Sequence, residues 1–178
     1  DRFGEKPLYY GWSDGSLIFA SELKVFKQFK DFSNKVDKNV LSLYMQYMYV
    51  PSPYSIYKDI YKLDPGCLLE IDQSEFYSAP SSTPFAPFSG KGLHIKCWYD
   101  LYSVARDGVN NIIRNESSAI KTLKDTLFSS VESQLISDVP IGAFLSGGID
   151  SSIIVALMKE ISIKPVETFS IGFQDKSY

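Results

Sequence analysis

The sequence predicts an α+β fold, in which an antiparallel β-rich part comes first and a parallel βαβ unit comes last. Two β-rich segments near the start flank an Asp-Gly turn at residues 13–16, which is typical of a hairpin. A Ser- and Pro-rich stretch at residues 73–97 lacks periodicity and indicates a connection between two domains. A short apolar run at residues 140–145 then precedes a Gly-Ser turn, an apolar helix and another strand.

The first zone, residues 1–72, has the patterns of strands and short helices. It is expected to contain a hairpin of residues 8–12 and 17–20, helices at 22–29 and 38–48, and a strand at 67–71. Asp37 is placed as the N-cap of the second helix. Helical spacing puts four side chains on one face of that helix: Leu41, Tyr44, Met45 and Met48.

The last zone, residues 98–178, alternates helix and strand patterns. A helix is expected to open at Asn115, because apolar residues follow it at spacings of three and four. The run at 140–145 is almost fully apolar, which favours a strand buried on both faces of a parallel sheet. A helix at 151–161 and a strand at 166–173 complete a βαβ unit, for which a right-handed crossover is expected.

The composition excludes several classes of protein. The 178 residues are 44% hydrophobic and 15% aromatic, with a net charge of −3, so neither disorder nor long-range attraction to polyanions is expected. No apolar stretch reaches the ~20 residues that span a bilayer. We therefore expect small-molecule partners, with no nucleic acid and no membrane.

The cysteines and the histidine point to a reduced compartment and away from zinc. Cys67 and Cys97 form no CxxC motif, and His94 is the single histidine, so we expect neither a disulfide framework nor a His-rich metal site. A cytoplasmic location is the default expectation. The sequence opens on Asp1 rather than Met and stops soon after a strand, so we expect it to be a section of a longer protein.

The turn at residues 146–152 is the candidate site. It leaves the carboxyl end of a buried strand and enters a helix N-terminus, where unpaired amides and a partial positive charge attract phosphate. Gly147 and Gly148 allow close approach of the backbone. Hydroxyl donors come from Ser146, Ser151 and Ser152. The alternative is a plain Gly-Ser turn that caps a helix.

Asp150 in this turn indicates a metal. A carboxylate beside phosphate would repel it unless a divalent cation bridges the two, and Mg²⁺ is the cation that pairs carboxylates with phosphate oxygens. The turn has neither the Walker A spacing and lysine nor the GxGxxG dinucleotide pattern. The expected ligand is therefore a Mg²⁺-bound polyphosphate.

Several sequence blocks resemble known families. Residues 146–152, Ser-Gly-Gly-Ile-Asp-Ser-Ser, resemble the pyrophosphate loop of the ATP pyrophosphatase superfamily. Residues 137–145 and 168–173 are similar to the same region of the glutamine-dependent asparagine synthetases. Three earlier blocks, at residues 1–10, 19–24 and 60–66, resemble the late part of that family's glutaminase domain.

This resemblance implies a fold and a domain order. Residues 1–72 would be the C-terminal part of an Ntn-type antiparallel glutaminase domain, and residues 73–97 a connection. Residues 98–178 would begin a doubly wound α/β synthetase domain of the ATP pyrophosphatase type, of which they supply the first βαβ unit.

The resemblance also implies a reaction. With ATP and Mg²⁺, the aspartate side chain would be adenylated and pyrophosphate released, and ammonia from glutamine would then give asparagine. The intact protein would be an asparagine synthetase and a candidate homodimer. Two alternatives stay open: a related ligase with another carboxylate acceptor, such as a β-lactam-forming enzyme, and a non-catalytic nucleotide-binding protein that kept the fold.

The resemblance also implies roles for the residues of this chain that match the family's motif. Asp150 would bind the metal, and ATP or its pyrophosphate would contact Leu145, Ser146, Gly147, Gly148, Ser151, Ser152 and Ile171. Leu145 and Ile171 would line the nucleotide pocket and offer backbone groups to the adenine, although a core role is equally expected for them. No catalytic residue is expected here, because the family's N-terminal glutaminase cysteine is absent; the fragment alone would catalyse neither half-reaction.

Overall fold

The chain forms two compact units, Asp1–Asn110 and Asn111–Tyr178. The structure, a computed structural model, describes residues 1–13, 15–72 and 79–172. The first unit holds β1 (Tyr9–Ser13), β2 (Ser16–Ala20), α1 (Leu23–Phe26), α2 (Lys38–Tyr47), β3 (Ile60–Lys62), β4 (Cys67–Ile71), β5 (Phe88–Gly90), β6 (Leu93–Cys97) and α3 (Leu101–Asn110). The second holds α4 (Glu116–Gln134), β7 (Gly142–Phe144), α5 (Ile149–Ile161) and β8 (Glu167–Phe169). Among the described residues, no helix has the length and apolar character needed to cross a membrane.

The first sheet confirms the predicted hairpin. Its strand order is β2-β1-β3 and all pairing is antiparallel. The register runs from Tyr9 opposite Ala20 to Ser13 opposite Ser16. Asp14 of the predicted turn lies outside the described residues, and Gly15 next to it has a φ of +71°, as a tight turn requires.

The first of the two predicted helices in this unit is shorter than expected, whereas the second begins at its predicted position. α1 is shorter than expected and continues only as i→i+3 turns as far as Phe29. α2 begins where the cap predicted it, because the Asp37 carboxylate accepts from the amides of Asn39 and Val40. Val40 is the buried residue of this helix. The four side chains that share the predicted face are 41–75% exposed: Leu41, Tyr44, Met45 and Met48.

The second sheet lies partly where the sequence predicted a connection. β4 is confirmed with its predicted bounds, and the strand order is β4-β6-β5, again antiparallel. Thus two strands fall within residues 73–97, and the compact unit extends to Asn110. α3 was not predicted, although Asp100 marks its start by accepting from the amides of Tyr102 and Ser103.

The two sheets of the first unit share one core. Tyr10 and Tyr61 from the first sheet pack with Leu93 and Ile95 from β6, and all four are at most 9% exposed. A second cluster, Ile18, Phe26 and Ile60, joins α1 to the first sheet. Burial of apolar surface at this scale explains why residues 88–97 belong to the same unit.

The second unit confirms the predicted βαβ order. β7 and β8 pair in parallel, with Phe144 opposite Phe169, and α5 connects them. α4 opens as expected, because the Asn115 side chain accepts from the Ser118 amide at 2.9 Å. The helix after the Gly-Ser turn begins at Ile149, two residues earlier than predicted, and β8 is shorter than the predicted strand. Residues 173–178 lie outside the described part of the chain.

The expected burial of β7 on both faces was wrong. Ala143 packs on a core of α4 and α5 residues, whereas Phe144, on the opposite face, is 79% exposed. The helix core consists of Val131, Leu157 and Met158. Within the described residues the helices cover one face of this two-stranded sheet, which is why the apolar run is only half-buried.

We predict that Gly66→Ala destabilises the protein more than Gly15→Ala does. Both glycines have positive φ, +67° and +71°, so a side chain costs about 1 kcal/mol at either position. A Cβ on Gly66 would also collide with the carbonyl oxygen of Tyr99, whereas a Cβ on Gly15 meets nothing. The expected loss for Gly66→Ala is about 3 kcal/mol. Urea unfolding of the natural protein that contains this chain measures it, and equal losses for the two variants would contradict the close packing at Gly66.

A second prediction concerns Tyr10, which is fully buried. Its hydroxyl has no partner among the described residues, and burial raises the pKa of Tyr10 above its usual value of 10.0. Below about pH 10 both folded and unfolded states keep the proton; above it the unfolded state loses the proton first, so stability falls as pH rises. Tyr10→Phe should raise stability at pH 7 by about 1 kcal/mol and reduce the loss between pH 7 and pH 11.

The matched control for this second prediction is Tyr102→Phe, since Tyr102 is 87% exposed. It should leave both the stability at pH 7 and the alkaline loss unchanged. Urea midpoints at pH 7 and pH 11 give both quantities. A Tyr10→Phe variant that is less stable at pH 7 would mean that the hydroxyl has a hydrogen-bond partner.

Candidate anion-binding site

The Gly-Ser turn lies at the carboxyl edge of the parallel strands. Leu145 follows β7 directly, and its amide donates to the carbonyl of Phe169 at 2.8 Å. The hydroxyl of Ser170, which follows β8, donates to the carbonyl of Leu145 at 2.7 Å. These two bonds fix the point at which the chain leaves the sheet. Ser170 was not singled out from the sequence; its position directly after the adjacent parallel strand is the signal that marks it.

The turn itself is shaped by Gly147 and Gly148. Gly147 has a φ of +83°, a conformation that L side chains rarely adopt, so glycine is required there by the backbone. A Cβ on Gly147 would meet no atom within 4 Å, and one on Gly148 would meet only the Ser146 hydroxyl, at 3.5 Å. The space in front of the turn is therefore open to a ligand.

Four backbone amides of the turn are available. Gly148 is the N-cap of α5 and provides no side-chain cap. Within the described parts of the chain, no hydrogen bond engages the amides of Gly147, Ile149, Asp150 or Ser151. The first turn of a helix leaves such donors unpaired and carries a partial positive charge, so the geometry suits an anion.

The serine hydroxyls point back to the turn. Ser151 and Ser152 donate to the carbonyl of Gly148 at 3.1 and 2.7 Å, and the Ser152 amide donates there as well. Ser146 lies 3.0 Å from the Ser151 hydroxyl oxygen and accepts a long bond from the Gly148 amide. To donate to a bound phosphate, the Ser151 and Ser152 hydroxyls would have to rotate away from Gly148, whereas the four amides need no rearrangement.

Asp150 is exposed in the first turn of α5. Its carboxylate makes no hydrogen bond or ion pair with the described residues, and these residues contain no group of three His, Cys, Asp or Glu that could hold a metal ion. A cation here would thus have one protein ligand and take the rest from a bound ligand and water. That donor set fits Mg²⁺, which is commonly held by one or two carboxylates and substrate phosphates.

Leu145 and Ile171 follow the two neighbouring parallel strands and so lie at the same edge of the sheet. The Leu145 amide is already used by β8, whereas Ile171 is 79% exposed and its amide has no partner within residues that the structure describes. A cavity of about 390 Å³ lies beside the turn, lined by Phe144, Ser151 and Ile154 among others. Of the turn residues, Ser151 lines this cavity, and neither Leu145 nor Ile171 does.

Comparison with known proteins gives matches in both units. A model of the glutamine amidotransferase domain matches residues 1–81, and a model of asparagine synthase matches residues 122–178, which include the whole Gly-Ser turn. Together the two matches cover more than half of the chain.

Individual relatives match across both units. The asparagine synthetase [glutamine-hydrolyzing] 1 of Bacillus subtilis is 32% identical over 100% of this chain and 24% of its own length. Asparagine synthetase B of Escherichia coli is 44% identical over 94% of this chain and 21% of its own length. A Methanocaldococcus jannaschii protein, provisionally named as a glutamine-hydrolysing asparagine synthetase, is 34% identical over 99% of this chain and 31% of its own length.

The chain therefore spans between about a fifth and a third of the length of these relatives. The order of the two family matches is the one that the sequence blocks predicted, with the amidotransferase part first and the synthase part second. The chain belongs to the asparagine synthetase family.

Proposed function

We propose that this chain supplies the ATP pyrophosphate site of a glutamine-dependent asparagine synthetase. The observation that carries the proposal is the group of four available amides at the start of α5, directly after a parallel strand. The family membership supports the reaction: adenylation of the aspartate side chain, release of pyrophosphate, and attack by ammonia derived from glutamine. The intact protein is then a carbon–nitrogen ligase.

Each residue of the turn has a proposed task. The amides of residues 147 and 149–151 bind the β- and γ-phosphates, and Gly147 and Gly148 leave room for them. Ser146, Ser151 and Ser152 orient the same phosphates once their hydroxyls rotate. Leu145 and Ile171 line the nucleotide pocket, and the Ile171 amide, which is unpaired within the described residues, is the donor offered to the base.

Asp150 would hold Mg²⁺ against the phosphates. When bound, the ion supplies charge neutralisation for the leaving pyrophosphate. The chain's own contribution is the backbone amides, which are fixed at the place where negative charge grows as the phosphates leave and lower the barrier without rearranging themselves.

The wider organisation is also proposed. Residues 1–72 would be the end of an Ntn-type glutaminase domain, residues 73–97 a connection, and residues 98–178 the start of the ATP pyrophosphatase-type domain. The first compact unit ends at Asn110, so β5, β6 and α3 belong to the same compact unit as residues 1–72. The protein would be cytoplasmic, use small-molecule substrates and form a homodimer.

Asp150→Ala tests the metal site. In the natural protein that contains this chain, the exchange of labelled pyrophosphate into ATP, measured with aspartate and Mg²⁺, should fall about 100-fold or more. Hydrolysis of glutamine should stay within about twofold, because the amidotransferase match lies in the other unit.

The matched control for that test is Glu116→Ala. Glu116 is also an exposed carboxylate in the first turn of a helix, but α4 has no Gly-rich turn before it. Its exchange rate should stay within about twofold of the unchanged protein. Normal exchange in Asp150→Ala, or an equal fall in both variants, would overturn the role given to Asp150.

The acceptor is tested separately with the natural protein. Release of pyrophosphate from ATP should depend on added aspartate, with other amino-acid carboxylates giving less than about a tenth of that rate. If another carboxylate, but not aspartate, drives the release, the chain belongs to a related ligase with that acceptor. If no carboxylate drives it while ATP binds, the fold serves nucleotide binding alone.

A further inference from the structure

Cys67 and Cys97, which are 30 residues apart in sequence, face each other across two strands. Cys67 opens β4, Cys97 closes β6, and the pairing register places them directly opposite. Their Sγ atoms are 3.1 Å apart. Both cysteines are in the thiol state in this structure.

The hydrogen bonds between β4 and β6 show whether Cys67 and Cys97 form a hydrogen-bonded or a non-hydrogen-bonded residue pair. The Trp98 amide donates to the Gly66 carbonyl at one end of the ladder, and the Asp72 amide donates to the Gly92 carbonyl at the other. Hydrogen-bonded pairs alternate along antiparallel strands, so the pair next to Gly66 and Trp98 is a non-hydrogen-bonded one. Such pairs bring Cα atoms to about 4.5 Å, within the range that a disulfide spans. A bond between these cysteines therefore needs no movement of the backbone.

We propose that Cys67 and Cys97 are a redox modification site, at which a low-molecular-weight disulfide converts the two thiols into a cross-strand disulfide. Both thiols line one cavity of about 630 Å³, together with Asp64, Tyr99 and Tyr102 among others, so an oxidant in solution has access. This proposal does not depend on the proposed function of the other unit.

The chemistry is thiol–disulfide exchange. The Cys97 thiol, which is exposed, gives its proton to solvent, and its sulfur attacks one sulfur of the oxidant; the oxidant's S–S bond breaks and one thiolate leaves. The Cys67 thiol then loses its proton and its sulfur attacks Cys97 in the mixed disulfide, which expels the second thiolate. The two cysteines are oxidised by two electrons, and the oxidant disulfide is reduced to two thiols.

The surroundings set the order of attack. Burial, followed by the hydrogen bond with Cys97, raises the pKa of the Cys67 thiol to about 12. Cys97 lies at the exposed end of β6, so it is the sulfur that reacts with the oxidant first. The Cys67 sulfur lies 3.1 Å from that of Cys97, which places it to resolve the mixed disulfide once it has lost its proton.

The test uses the natural protein that contains this chain, equilibrated in glutathione buffers from fully reduced to fully oxidised. Free thiols are blocked with N-ethylmaleimide, and the protein is digested with trypsin without reduction. Cleavage after Lys62, Lys91, Lys96 and Arg106 gives separate peptides, residues 63–91 with Cys67 and residues 97–106 with Cys97. In oxidising buffer the two peptides should be found joined, and dithiothreitol should separate them.

Single variants provide the controls. Cys67→Ser should leave Cys97 carrying glutathione, because no second thiol resolves it, and Cys97→Ser should leave Cys67 mostly unmodified. The oxidised protein should also melt roughly 5 °C higher than the reduced one, since the new bond closes a loop of about 30 residues in the unfolded chain. Two glutathione adducts on the unchanged protein, or two maleimide-labelled thiols in the most oxidising buffer, would overturn the proposal.

Discussion

The parallel pairing of β7 with β8 is the constraint on which the candidate site depends. Because α5 connects the two strands, both end at the same edge, and the bond from the Leu145 amide to the Phe169 carbonyl ends the pairing there. The chain has to turn away from the sheet immediately afterwards and start a helix. That start leaves four amides without partners among the described residues, and Gly147 turns the chain there with a positive φ.

The packing of α5 holds this arrangement in place. A helix of 13 residues is marginal by itself in water, so its direction is fixed by contacts with α4. Leu157 and Met158 bury against Val131, and Lys124 pairs with Glu160 at the surface. The anion site thus consists of local backbone geometry at one end of a helix whose other end is anchored by a shared apolar core.

Local signals predicted much of this fold. The caps at Asp37 and Asn115, the strand at Cys67 and the Gly-Ser turn after an apolar run all depend on neighbouring residues, and all are found. What needed long-range information was missed. The β5–β6 hairpin has a local signal that was missed, a Lys91–Gly92 turn with two positive φ values, whereas its pairing with β4 is long-range. The facing of Cys67 and Cys97 follows from that long-range register alone. The orientation of the serine hydroxyls toward the Gly148 carbonyl depends on how that peptide unit is turned, which no sequence pattern encodes.

The open face of the β7–β8 pair has a practical consequence. Phe144 and Phe169 lie side by side on it, their ring centroids 6.3 Å apart and their side chains 79% and 54% exposed. Adjacent aromatic rings that are exposed to water on a two-stranded sheet form a hydrophobic patch, and such a patch associates with other nonpolar surfaces. Preparations of this polypeptide alone would therefore self-associate or capture chaperones and detergents, and light scattering should be checked before any titration with a nucleotide is interpreted.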